Sequence, residues 1–129
     1  MNFRGVIIEE SLADKKILEK IKILSTKVVP VTSRHKTPWV KQWTMHTVEV
    51  PVAQAREVAE ALMHALDSKH NWYADFENDT RHFIIYPKKI FYVDRTHKEE
   101  YNEVSAYGVS IGIPDYQVDF SSHIKSQQG

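Results

Sequence analysis

Cysteine is absent from the chain, which excludes disulfides and thiolate metal ligands and suits a reducing, cytoplasmic setting. Glycine is scarce: four residues scattered over 129, none in a run that could cradle a phosphate. Neither sign of charge is in excess, with 17 basic against 17 acidic side chains. No global field therefore attracts nucleic acid or anionic lipid, and neither is expected as a partner. Long apolar runs are missing as well. Val6-Ile7-Ile8 is followed at once by Glu9-Glu10, too short a stretch for a signal-peptide core or a membrane span. There is no internal repeat, low-complexity tract or linker. The length fits one domain, residues 1–120, followed by a tail, 121–129, with nothing to bury and expected to fray.

What is present is a meander from Trp72 to Asp94. Trp72-Tyr73-Ala74-Asp75-Phe76-Glu77 and Arg81-His82-Phe83-Ile84-Ile85 are aromatic and β-branched runs flanking Asn78-Asp79, residue types that accept the positive φ of a tight hairpin. A two-residue bend at Asn78-Asp79 would set Asp75 opposite His82 and Ala74 opposite Phe83. The second turn, around Pro87-Lys88, sets Ile85 opposite Ile90, Phe83 opposite Tyr92 and Arg81 opposite Asp94. Alternation then gives one face Trp72, Ala74, Phe76, Phe83, Ile85, Ile90 and Tyr92, the face helices should cover. The other carries Tyr73, Asp75, His82, Ile84, Phe91 and Val93. It is too apolar to be left in water, so a second subunit is the expected lid and a homodimer the expected assembly.

Along the rest of the chain, Phe3 to Glu9 reads as a first strand, buried on both faces and central. Ser11-Leu12-Ala13-Asp14 offers a helix start, a turn or two long, before a strand through Val31. A polar loop, Thr32 to Pro38, leads to a return strand, Trp39 to Val50. The clearest helix is Val52 to Asp67, with Ala55, Val58, Ala59, Leu62, Met63 and Leu66 on one side. Thr96-His97-Lys98-Glu99 reads as a capping box opening a second helix in which Tyr101 and Val104 face inward and Gly108 is the stop. The order defines an α+β class: a two-layer sandwich, largely antiparallel sheet with helices on one face. In architecture it resembles the ferredoxin-like or dimeric α+β barrel groups, which by itself names no reaction.

For chemistry, Asp75 beside His82 could orient an imidazole as general base, with Tyr73 assisting on the same face. The same pair could instead be an ordinary cross-strand ion pair. Arg34, His35 and Lys36, with Lys41 and the aromatic Trp39, could form a lip for an organic anion, or be a solvated loop. His46 would join His82 if their strands are neighbours, or else sit hydrogen-bonded within the fold. The histidines show no His-x-His, no His-Glu-x-x-His and no pair four apart, so neither metal nor cofactor is expected. No Gly-x-Ser-x-Gly elbow is present. Three functions follow from these residues: a homodimeric domain binding a small organic anion, a cofactor-independent proton-transfer enzyme built on His82 and Asp75, or a structural or protein-binding module.

Overall fold

The computed structural model describes residues 1–125. Six strands form one sheet: β1 (Phe3–Ile8), β2 (Lys22–Pro30), β3 (Gln42–Val50), β4 (Ala74–Glu77), β5 (Arg81–Tyr86) and β6 (Lys89–Asp94). Their order is β2-β3-β1-β4-β5-β6, and every neighbouring pair is antiparallel. The α+β class with an antiparallel sheet is thus as expected, and β1 holds the central place its continuous apolar run suggested.

The two main helices do not share a face. Helix α1 (Ala55–Ala65) packs Ala55, Val58, Ala59 and Leu62 against Phe3, Ile7, Val48, Val50, Phe76, Phe83 and Ile85. Leu62 is fully buried, which contributes about 1.5–3 kcal/mol. Helix α2 (Lys98–Ser110) packs Tyr101 and Val104 against Ile84, Tyr86 and Val93, joined by Ile113, Val118 and Phe120 from the chain beyond it. The expected two-layer sandwich with helices on one face is corrected to three layers, one helix on each side of the sheet. The lid assigned to a second subunit is supplied by α2 and the C-terminal segment of the same chain. The apolar second face therefore gives no argument for a dimer.

Local expectations shift in instructive ways. The β5–β6 register is as read, Arg81 opposite Asp94 through Ile85 opposite Ile90. The β4–β5 register is not: Asp75 faces Ile84 and Glu77 faces His82. The bend lies one residue later, at Asp79-Thr80. Asn78 closes it from outside, its amide nitrogen donating to the Arg81 carbonyl at 3.0 Å and its side-chain Oδ1 accepting from the Arg81 amide at 2.8 Å. An Asn side chain that mimics backbone in this way favours the position before the bend over the bend itself. Each pairing moves by two residues, so the faces are preserved.

The first helix start is Asp14, whose side chain accepts from the Lys16 amide and caps a 3-10 segment at Lys15–Lys20. Ser11 is buried with its hydroxyl donated to the Ile8 carbonyl instead. At α2 the capping box does not form: the Thr96 hydroxyl donates to Asp94 at 2.8 Å. Gly108 is no stop but a packing residue inside the helix, where a Cβ would press on the Tyr86 hydroxyl and Val118 Cγ1; the left-handed turn beyond α2 belongs to Gly112 at φ 99°. The segment expected to fray from Ser121 forms a 3-10 turn, Ser121–His123, and the Lys125 amide donates to the Arg95 carbonyl at 2.7 Å. Residues 126–129 of that tail lie outside the described residues.

Two tertiary contacts tie the sheet's parts together. Gly5 of β1 pairs with Phe76 of β4, and a Cβ there would overlap the Asp75 carbonyl and the Phe76 Cα. Gly5→Ala should destabilise the fold by at least about 1–3 kcal/mol, the range for overpacking, read as a lower urea midpoint at unchanged slope; an unchanged midpoint would mean that the strands can part freely. Glu10 receives the Thr44 amide at 2.6 Å and the Thr44 hydroxyl at 2.8 Å. Its partial burial pushes its pKa up, but the Thr44 bonds together with the nearby Lys15 charge outweigh burial and hold it below its ordinary 4.5. A depressed carboxylate stabilises above its unfolded pKa and loses that contribution as pH falls through the folded one. Glu10→Ala should therefore cost about 1.5–3 kcal/mol at pH 7, with the gap to the wild-type chain shrinking below about pH 4.5; denaturant titrations across that range measure it.

Candidate functional site

Asp75 and His82 do meet. Because the register slips by two, they are diagonal rather than directly opposed, yet the His82 Nε2 to Asp75 Oδ2 distance is 2.7 Å. His82 Nδ1 lies 2.9 Å from the Tyr101 hydroxyl on α2. A carboxylate at Nε2 and a phenol at Nδ1 are both satisfied when the ring hydrogen is on Nε2: the imidazole donates to Asp75 and accepts from Tyr101. His82 is 0 % exposed, enclosed by Tyr101, Phe120 and His123 rings. It does not reach solvent, and among the described residues it is not part of the lining of the two cavities beside Asp75. Asp75 is the member of the pair that faces open space, and His82 stands behind it.

Asp75 lies between two cavities that share Val6 and Tyr73. One, of about 290 Å³, is aromatic and apolar, with Trp43, Met45, Trp72 and Tyr73 among its walls and Asn71 and Gln117 as amides. Helix α2 packs on β5 and β6, whereas over β1 and β3 the 3-10 turn Asp115–Val118 and the loop before β3 supply the wall, through Gln117 and Thr37. Trp72 is 4 % exposed, and its indole N–H has no acceptor among the described residues. The other cavity, of about 270 Å³, is polar, with Arg4, Asp75, Glu77, Asp119 and His123 among its lining.

Tyr73 shares the face of Asp75, but its hydroxyl is engaged elsewhere. Its hydroxyl donates to the Gln117 carbonyl at 2.6 Å, and burial, with the Asp75 charge adding to it, pushes its pKa well above the ordinary tyrosine value. It is a protonated strut that pins the C-terminal segment to the sheet. Burial likewise pushes Tyr101 up to about 12, with nearby Arg95 pulling the other way, so it donates at any ordinary pH.

The expected basic lip is not gathered at this site. Arg34 and Lys36 line a separate open depression together with Tyr116. His35 caps its own turn, its Nδ1 accepting from the Thr32 amide at 2.9 Å, and meets the Trp43 ring edge-on. The Lys41 carbonyl accepts from the Val31 amide, extending the β2–β3 ladder. Trp39 stacks on His70 with ring centroids 3.9 Å apart. Of that loop only Thr37 reaches the aromatic cavity, and its hydroxyl accepts from the Trp43 indole at 3.0 Å. His46 is not a neighbour of His82. It lies on the α1 side of the sheet, beside Ile7, bonded to Thr26 at 2.8 Å and Glu9 at 3.0 Å. It is the hydrogen-bonded histidine of the alternative reading.

Three residues the sequence reading passed over belong to the site: Glu77, His123 and Arg95. His123 Nδ1 lies 2.7 Å from Glu77 Oε2, and the same oxygen is 3.4 Å from His82 Nδ1 and 3.6 Å from Arg95 Nη2. Burial pushes Glu77 up, but the His123 bond and the surrounding positive groups outweigh it and hold its pKa below 4.5. The bond to Glu77 raises His123 against the opposing effect of burial. Parity alone could have found Glu77, two residues after Asp75. No protein-family model, curated protein or solved structure matches the chain.

Tyr101→Phe keeps the ring but removes the phenol from a fully buried imidazole. It should cost about 1–3 kcal/mol, the penalty for an unsatisfied buried group, measured by urea denaturation at pH 8. A variant as stable as the parent would show that Nδ1 is not an acceptor dependent on the phenol, as when it carries a hydrogen directed to Glu77.

Proposed function

We propose that this protein binds a small aromatic ligand carrying N–H donors in the cavity between Trp43, Trp72 and Tyr73, with the Asp75 carboxylate as its polar anchor. The observation that carries the reading is that Asp75 is the single charged residue among those lining a mostly apolar cavity, and that it is held from behind by a buried histidine. A few fixed polar groups in an apolar concavity are the usual composition of a small-molecule site. Asp75 Oδ2 is engaged by His82, which leaves Oδ1 as the oxygen available to a ligand. The unpaired Trp72 indole would be satisfied by a ligand that also brings an acceptor. An organic anion suits this cavity poorly, because Arg34 and Lys36 face elsewhere and Asp75 would repel it.

A second reading is favoured by one further observation, the continuous chain Asp75–His82–Tyr101. Such a chain orients a carboxylate and spreads the charge change when it accepts a proton. Asp75 would then abstract a proton from the bound ligand, with His82 as its orienting partner.

Benzamidine and benzoate, nearly equal in shape and opposite in charge, test the site. Benzamidine should quench or shift tryptophan fluorescence and raise the Tm at millimolar concentration, benzoate should not, and Asp75→Asn should weaken benzamidine about tenfold or more, as expected for loss of a charge-assisted bond. Equal response to both compounds, or an indifferent Asp75→Asn variant, would sink the proposal.

A further inference from the structure

We propose that Glu77, His82 and His123 form a binding site for a divalent first-row transition-metal ion, with Zn²⁺ as its reference occupant. One donor atom from each of Glu77, His82 and His123 lies within 4.8 Å of the other two, with Glu77 Oε2 facing Nδ1 of both histidines. Two imidazole nitrogens and one carboxylate oxygen, without a thiol, are the donor set of zinc and its neighbours in the series. Donors held at 2.0–2.2 Å in a tetrahedron stand about 3.3–3.5 Å apart. The Glu77–His82 separation is already 3.4 Å. The Glu77–His123 separation, 2.7 Å, needs to open by about 0.6–0.8 Å on the same geometry, a rotamer adjustment for a half-exposed side chain on a terminal turn.

The surroundings are those a metal site requires. His82 can offer its Nδ1 lone pair because Nε2 donates its hydrogen to Asp75, the carboxylate–histidine arrangement that fixes the tautomer of a metal ligand. The Tyr101 hydroxyl faces that lone pair at 2.9 Å, and the ion would take its place. Arg95 pre-positions two of the ligands: its Nη1 donates to the Asn78 carbonyl at 2.6 Å, next to Glu77, and its Nε to the His123 carbonyl at 3.0 Å. Its charge opposes a cation, but Asp75 and Glu77 together outnumber it. Three protein ligands would leave a fourth position for water or a small ligand, and two of the three, Glu77 and His123, line the polar cavity beside Asp75. The ligands come from β4, β5 and the C-terminal turn, which explains why no ligand spacing appears in the sequence.

The test uses the full chain freed of metal by chelator dialysis, titrated with Zn²⁺ by calorimetry and with Co²⁺ by visible absorption. One equivalent should bind, with Co²⁺ giving the intense bands of four- or five-fold coordination. His123→Ala and Glu77→Gln, both on partly exposed positions and checked for folding by circular dichroism, should each weaken binding by more than the about 10–100-fold that follows loss of an outer partner, and Asp75→Asn by about that amount. His97→Ala, at a surface histidine with its own carboxylates Asp94 and Glu100, should change affinity less than about twofold if the site is the one described. No uptake of either ion, or uptake that survives His123→Ala and Glu77→Gln, overturns the proposal.

Discussion

The antiparallel contact of β1 with β4 is the constraint on which everything else in this molecule rests. It is the seam between a three-stranded half, β2-β3-β1, and the β4-β5-β6 meander, and it covers only Arg4 to Val6 against Asp75 to Glu77. The strands approach so closely at Gly5 that no side chain fits. That closeness sets Val6 beside Asp75, and with it the common wall of both cavities. A wider seam would leave the meander a separate hairpin pair and Asp75 on an ordinary surface.

Covering the two faces by different means then makes the site. Helix α1 seals one face with an apolar stripe. On the other, α2 ends before it reaches β1 and β3, and the chain returns across them as a short turn pinned by the Tyr73 hydroxyl and the Gln117 side chain. What lies beneath α2 and this turn includes a histidine and two carboxylates, groups that cost several kcal/mol to bury unless each finds a partner. They find one another: Asp75 with His82, His82 with Tyr101, Glu77 with His123 and Arg95. The same economy of partners that makes the fold tolerable concentrates donors, acceptors and lone pairs at one place.

Much of this was legible because side-chain parity survives errors of register. The bend placed at Asn78-Asp79 lies instead at Asp79-Thr80, yet a shift of two residues returns every side chain to its own face. Asp75 and His82 were therefore found together for a reason that was only half right. The inward stripe of α1 and the Tyr101 and Val104 contacts of α2 were equally plain, since each depends only on helical spacing. Where reading failed, a distant residue had taken over a local group. Thr96 turned its hydroxyl to Asp94, Gly108 was kept small by Tyr86 and Val118, and Ser121 to Lys125 was held by Arg95 and Glu77.

The chain by itself determined the elements, their inward faces and the meeting of Asp75 with His82, because these follow from periods of two and 3.6 residues and from turn chemistry over a few neighbours. Only the tertiary structure decided that α2 lies opposite α1, that Arg34 and Lys36 turn away from the aromatic cavity while His46 faces the other side, and that His123 arrives beside Glu77. Those outcomes depend on the order of strands in the sheet and on the path of irregular segments. Neither leaves a periodic trace, since each is set by which surfaces remain to be covered once the regular elements have packed.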